Sequence, residues 1–182
     1  MRLRPLAGAL VALACLAAPA TARAETYLTP YLGVAFGGAA PESKPIFGVS
    51  AAILGPIWGL EVEFGRSRDF FPSIEDEHRL TTVLGRFVLG GNQRSRWRPF
   101  AAVGAGIVRT TIESTNLFPD RKDTEPVVEA GGGIQAFFFA NAIGIRADVR
   151  YLTTLRRQNP ASTPISSGFD VWRGAIGACF LF

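Results

Sequence analysis

Ala142-Ile143-Gly144-Ile145-Arg146-Ala147-Asp148-Val149-Arg150-Tyr151-Leu152 alternates without a break. Ile143, Ile145, Ala147, Val149 and Tyr151 share one parity, and Gly144, Arg146, Asp148 and Arg150 share the other. A helix would scatter charges at 146, 148 and 150 around its 3.6-residue turn, whereas a strand puts all three on one face. The segment reads as a β-strand with one apolar and one charged side.

The same pattern recurs on both sides of it. In 57–65, Trp58, Leu60, Val62 and Phe64 oppose Glu61 and Glu63; in 127–138, Val128, Ala130, Ile134, Ala136 and Phe138 oppose Glu129 and Gln135. In 172–182, Trp172, Ile176, Ala178, Phe180 and Phe182 oppose Arg173. Segments 27–36, 44–54, 77–89 and 97–111 alternate less cleanly, because Gly and Ala blur the pattern. Of these, only 77–89 is given a facing, with Val83, Phe87 and Leu89 opposite Arg86. That makes eight strands. The connections are 37–43, 55–56, 66–76, 90–96, 112–124, 140–141 and 154–168, and the odd-numbered ones are longer than their neighbours. Short turns on the side of entry and long loops on the far side are what an up-and-down barrel inserted through a membrane shows.

The chain begins with Met1-Arg2-Leu3-Arg4, an apolar run over 6–18 and Ala22-Arg23-Ala24. This is the layout of a secretory signal cleaved after residue 24, which predicts a signal peptide over 1–24 and one barrel domain over 25–182. A lipoprotein signal ending at Cys15 fits less well, because Ala12 stands where such signals carry Leu. The formal charge is +4, from 19 basic and 15 acidic residues. Arg2, Arg4 and Arg23 belong to the signal, so 16 bases face 15 acids in the remainder and net charge gives no argument for nucleic acid. One histidine, His78, and one cysteine after the signal, Cys179, exclude a disulfide framework and a Cys/His zinc site. No cofactor is expected.

Alternation alone does not say which face is inside. A soluble lipocalin-type barrel turns its apolar face inward, and a membrane barrel turns it outward. Outward is favoured because Glu61, Glu63, Arg86, Glu129, Arg146, Asp148, Arg150 and Arg173 make four acids and four bases, a balance suited to a closed ion-pair core. Tyr27, Tyr31, Trp58, Trp97, Phe138, Tyr151, Trp172 and Phe182 stand near the ends of the apolar faces, as in interfacial girdles. The expected fold is all-β, an eight-stranded antiparallel up-and-down transmembrane β-barrel.

The signal site, the run Trp97-Arg98-Pro99-Phe100-Ala101-Ala102-Val103-Gly104-Ala105-Gly106 and the last strand Trp172 to Phe182 resemble the small eight-stranded outer-membrane barrels of Gram-negative bacteria, of the OmpA/OmpX and opacity type. The resemblance covers the chain after the signal. It implies a place in the cell outer membrane, contact with outer-membrane lipids and lipopolysaccharide, and insertion by the barrel-assembly machinery. That machinery would read Trp172, Ile176, Ala178, Phe180 and Phe182 as a terminal signal. The resemblance does not imply one activity, and no peptidoglycan-binding domain follows the barrel.

Candidate chemistry is sparse. Glu61 and Glu63, roughly 7 Å apart by strand rise, could act as an acid–base pair, but lumen arginines account for them better. Ser73, Asp76 and His78 would be the only material for a lipid-modifying enzyme, and His78-Arg79-Leu80 lacks the His-x-Ser of the deacylase type. Glu75-Asp76-Glu77 reads as a hydrated charge run. Gly131-Gly132-Gly133 reads as room for bulky neighbours, and Cys179 as an inward apolar filler. Arg66, Arg68, Arg121, Arg156 and Arg157, assigned to loops, are candidates for lipopolysaccharide phosphates. Glu129 and Arg150 are expected to pair inside the barrel. The reading is a structural or surface-interaction protein without enzymatic activity and without a wide pore. A lipid-modifying enzyme and a periplasmic lipocalin-like carrier are the alternatives.

Overall fold

The computed structural model describes residues 24–38, 40–68, 77–90, 95–113, 121–138, 142–155 and 170–182. Eight strands follow one another: β1 (Glu25–Gly37), β2 (Ala40–Leu54), β3 (Trp58–Arg68), β4 (Glu77–Gly90), β5 (Trp97–Glu113), β6 (Arg121–Phe138), β7 (Ile143–Thr154) and β8 (Asp170–Leu181). Each pairs antiparallel with the next, and β8 returns to β1 to close the barrel. Closure satisfies every strand edge, which an open sheet in hydrocarbon could not do.

Several strands outrun their apolar segments. β6 begins at Arg121 and β3 ends at Arg68, so Arg66, Arg68 and Arg121 belong to strands and not to loops. The largest departure is the first connection. Residues 37–43 read as a long loop, yet only Gly38 and Ala39 separate β1 from β2. Gly37 and Gly38 have φ of +71° and +56°, and the register shifts between Ala35 and Gly37. Two glycines at positive φ allow a two-residue hairpin turn that other residues would resist. The later connections at that end, 69–76, 114–120 and 155–169, still exceed their neighbours.

Hydrogen-bonded partners can be followed once around the wall. Gly90 leads to Phe100, Gly133, Asp148, Ala175, Gly33, Ile46 and finally Ser67. The Gly90 amide also donates to the Ile57 carbonyl at 2.8 Å. The circuit therefore starts at Ile57 and ends ten positions further along, at Ser67, a stagger that requires strands tilted by roughly 40°.

The faces of the blurred strands are now fixed. On β1, Thr29 and Ala35 point inward while Leu28, Leu32, Val34 and Phe36 point outward; on β2, Phe47, Val49 and Ile53 are outward and Ile46, Ser50 and Leu54 inward. On β5, Trp97, Val103 and Ile107 are outward, and Arg98, Phe100 and Val108 inward. Tyr27 and Tyr31, assigned above to a girdle, are instead buried in the lumen at 2% and 8% exposure. Their hydroxyls decide this. Tyr27 meets Glu25 and Arg98 there. The Tyr31 hydroxyl fills space that Gly48 and Gly65 leave open, where added Cβ atoms would lie 2.5 and 2.7 Å from it.

The outer wall is apolar, with Leu32, Val62 and Ile176 among its most exposed side chains. This is the reverse of a lipocalin-type barrel. Trp58 stacks on Phe87 toward the terminal end, where β1 begins and β8 ends, and Tyr151 packs against Trp172 toward the loop end. Along β8, Trp172 and Phe182 are ten positions apart. That is roughly 33 Å of strand, or about 25 Å of height after tilt, the height of an outer-membrane apolar band.

The hairpin turn supplies a test. A Cβ at Gly38 would sit 2.0 Å from the Asp170 carbonyl oxygen of β8, in addition to the cost of its positive φ. Gly38→Ala is expected to lower the unfolding free energy by about 1–3 kcal/mol, read as a reduced urea midpoint of the refolded barrel.

Candidate functional site

The barrel interior is stratified. Near the loop end, Ile46, Leu80, Leu84, Val108, Val127 and Leu152 form one apolar cluster, together with Tyr31. Near the terminal end, Tyr27, Leu54, Val88, Phe100, Phe137 and Cys179 form a second. Between them lies a layer of charge. Glu61, Glu63, Arg86, Glu129, Arg146, Asp148, Arg150 and Arg173 all project into it and all are buried.

Arg86 of β4 is its hub. Its Nη1 donates to Glu61 Oε1 at 3.0 Å, its Nη2 pairs with Glu63 Oε2, and its Nε donates to Glu129 Oε1. Arg146 forks onto Glu61, with Nη1 3.0 Å from Oε1 and Nη2 3.1 Å from Oε2, while its Nε donates to Asp148 Oδ2 at 3.0 Å. Arg150 bridges Glu63, at 2.8 Å, and Asp148, at 2.7 Å. Arg173 Nη1 lies 2.6 Å from Glu63 Oε1. Four carboxylates and four guanidiniums cancel within one layer. The bidentate, charge-assisted fork of Arg146 on Glu61 is of the strong class, and neutralisation is what lets charge persist out of water.

Glycines make the layer fit. On one rung of the wall Arg86 pairs with Gly104, and Gly104 with Glu129. With no side chain between them, Arg86 and Glu129 meet over the intervening strand. A Cβ at Gly104 would lie 2.9 Å from Arg86 Cγ, and one at Gly131 would lie 2.8 Å from Arg150 Cγ. Within the Gly131–Gly133 run, Gly131 is therefore space for Arg150 and Gly133 is space for Asp148.

This geometry alters one expectation. Strand pairing puts Arg150 opposite Gly131 and Glu129 opposite Leu152, the diagonal register. Arg150 Nη1 and Glu129 Oε1 are then 4.0 Å apart, and the same oxygen is taken by Arg86. The adjacent strand does not supply the nearest partner because the lumen is narrow enough for pairing across non-adjacent strands.

Sequence reasoning missed a second, smaller charge cluster. Arg98 Nη1 donates to Glu25 Oε2 at 2.6 Å and to the Tyr27 hydroxyl at 2.8 Å, and its guanidinium lies 4.3 Å from the centre of the Phe137 ring. The usable signal was Trp97, whose outward place forces Arg98 inward. A cavity of about 10 Å³ beside Arg98, Tyr27 and Gln135 has room for one water.

Other candidates fall as follows. Cys179 is buried and accepts a hydrogen bond from Thr29 Oγ1 at 3.4 Å. His78 lies in β4 opposite Ile112. Ser73, Glu75, Asp76, Arg156 and Arg157, and residues 1–23 of the predicted signal over 1–24, lie outside the described residues. Among the described residues, no group of three or more His, Cys, Asp or Glu is placed to hold a metal ion. Trp172, Ile176, Phe180 and Phe182 are exposed on the outer wall, with Ala178 half-buried beside them.

No family model matches the sequence, and no curated protein matches it significantly. Solved structures do match. The Neisserial surface protein A superposes with a TM-score of 0.65 at 12% identity, over 87% of this chain and 97% of that one. The N-terminal barrel domain of Pseudomonas aeruginosa OprF gives 0.59 at 17% identity, over 87% and 97%. The attachment invasion locus protein Ail of Yersinia pestis, solved with the heparin analogue sucrose octasulfate, gives 0.57 at 16% identity, over 87% and 99%. The fold is that of the small eight-stranded outer-membrane barrels. Within it, this chain closes its lumen with a neutral charge layer between two apolar ones.

The pairing hierarchy can be measured. Arg86→Met should cost about 3–5 kcal/mol, because it leaves four buried carboxylates against three guanidiniums and takes from Glu129 its nearest partner. In urea unfolding of refolded barrels, a double-mutant cycle between Arg86→Met and Glu129→Gln should show a larger coupling energy than the cycle between Arg150→Met and Glu129→Gln.

Proposed function

We propose that this protein is a closed structural barrel of the cell outer membrane, exported through a cleaved signal peptide, without enzymatic activity, whose interactions are made by its loop end and outer wall. The observation that carries the reading is the stratified lumen. Charge that is fully paired and sealed by apolar side chains on both sides neither conducts ions nor presents a group to a substrate. The apolar outer wall with its aromatic borders supports the membrane setting. Its wall would meet outer-membrane lipids and lipopolysaccharide, and the exposed face of Trp172, Ile176, Ala178, Phe180 and Phe182 would serve the barrel-assembly machinery. The surface-facing role is adhesin-like, with the loops as the contact region. The apolar exterior argues against the lipocalin-like carrier. The run His78-Arg79-Leu80 lacks the His-x-Ser of the deacylase type, which weighs against the lipid-modifying enzyme.

Expression in a Gram-negative host tests this. The expected result is recovery in the outer-membrane fraction, with faster gel mobility before boiling than after. In planar bilayers, the refolded barrel should show no steady conductance of porin size. Recovery in the soluble periplasm, or stable open channels, contradicts the proposal.

A further inference from the structure

The outer wall is not uniform above its apolar band. On one rung, Arg66 of β3 pairs with Thr81 of β4, Thr81 with Arg109 of β5, and Arg109 with Thr124 of β6. Two positions further up, Arg68 pairs with Arg79, Arg79 with Thr111, and Thr111 with Lys122. Five basic residues and three threonines thus occupy these two rungs on four consecutive strands. The acids Glu77 and Glu113 face each other two positions above Arg79 and Thr111. Side chains two positions apart share a face. Phe64, Val83 and Ile107, exposed on the outer wall, are therefore the positions directly beneath Arg66, Thr81 and Arg109.

The rest of the circumference differs. At the matching end of β7 and β8, Thr153 pairs with Asp170 and its hydroxyl donates to the carboxylate at 2.5 Å. Beside them stand Tyr151, Trp172 and, on β1, Phe36, which is opposite Trp172. On these two rungs the wall carries bases and threonines over β3–β6, with Glu77 and Glu113 above them, and it is acidic or aromatic over β7, β8 and β1. Arg66 keeps a buried Nε with no hydrogen-bond partner, and Arg109 is exposed. Neither forms an ion pair with another described residue.

We propose that Arg66, Thr81 and Arg109 form a binding site for the phosphate of a phosphorylated glycolipid in the outer leaflet, with its acyl chains lying on Phe64, Val83 and Ile107. This rests on the outer-membrane reading above. The two arginines are separated by two strand spacings, roughly 10 Å, and the threonine between them supplies a hydroxyl. Guanidinium forks and hydroxyls suit phosphate oxygens. What selects a lipid over a soluble polyanion is continuity: the basic rung sits on top of the apolar band, so one amphipathic molecule meets both. The aromatic and acidic half of the wall cannot offer the same contact.

The test uses the refolded barrel in phosphatidylcholine vesicles containing either bis-phosphorylated lipid A or lipid A stripped of its phosphates. Bound lipid is counted by native mass spectrometry after detergent transfer. The expected result is retention of the phosphorylated form only, weakened roughly tenfold or more in Arg66→Gln/Arg109→Gln, and unchanged in Arg96→Gln. Arg96 stacks on Phe138 at the opposite end of the barrel and controls for loss of an arginine outside the site. Equal retention of both lipids overturns the site, and so does equal loss in the Arg96 variant. Competition by millimolar inorganic phosphate or by heparin without lipid A binding would assign the patch to a soluble anion and also overturn it. The heat-dependent gel shift of each sample reports whether the barrel is folded. A barrel that shifts but fails to bind rejects the site alone. A protein that never enters the membrane rejects the reading beneath it.

Discussion

Eight full charges inside a tube a few side chains wide are tolerable only if each finds its opposite, and the rest of the structure follows from meeting that condition. Arg86 reaches three carboxylates on two other strands. It can do so only because Gly104 leaves the wall bare between it and Glu129. Gly104, one of the glycines that blurred the pattern of β5, is therefore set by the charge layer, while Gly48 and Gly65 leave room for the Tyr31 hydroxyl. The apolar clusters above and below exclude water, which strengthens each contact and raises the penalty for leaving any one unmade.

Where a strand carried charge on one parity, its facing could be read directly, as on β3, β6, β7 and β8. A carboxylate or guanidinium at a lipid-facing site is costly, so charge marks the lumen. Gly and Ala carry no such cost either way, which is why β1, β2 and β5 were ambiguous. Tyr27 and Tyr31 were misassigned because a phenol, part apolar and part hydrogen-bonding, suits a membrane border and a polar lumen equally. Composition also misled at the strand ends. Pro41, Glu42 and Ser43 look like a loop, yet they continue β2 beyond the apolar band. There, strand residues need not be apolar, so polarity no longer distinguishes strand from loop. Individual pairings were beyond reach, because which arginine reaches which acid depends on lumen width and stagger, and neither is local in sequence.

A sealed interior moves all recognition to the exterior. The wall has two halves of different character, and the loop end varies in height, from the two-residue turn after β1 to the long β5–β6 hairpin. The barrel therefore presents a directional side to its surroundings, with arginines and threonines over β3–β6 and aromatic and acidic groups over β7, β8 and β1.

The charge layer also constrains how the chain can reach its final form. Its members come from β3, β4, β6, β7 and β8, and Arg173, on the last strand, touches Glu63, on the third. A partly threaded chain lacking β8 would hold Glu63 and Glu129 short of one counter-charge, and one lacking β3 would leave Arg146 and Arg173 without their main acids. Within the layer the β3–β4 hairpin carries a net charge of −1 and the β7–β8 hairpin +2, and these balance only when β6 stands with them. Contacts this distant along the chain carry a large loop-closure cost before they yield any gain. Folding should accordingly be slow and all-or-none, with strands entering the bilayer as a nearly complete cylinder and no stable half-built species along the way.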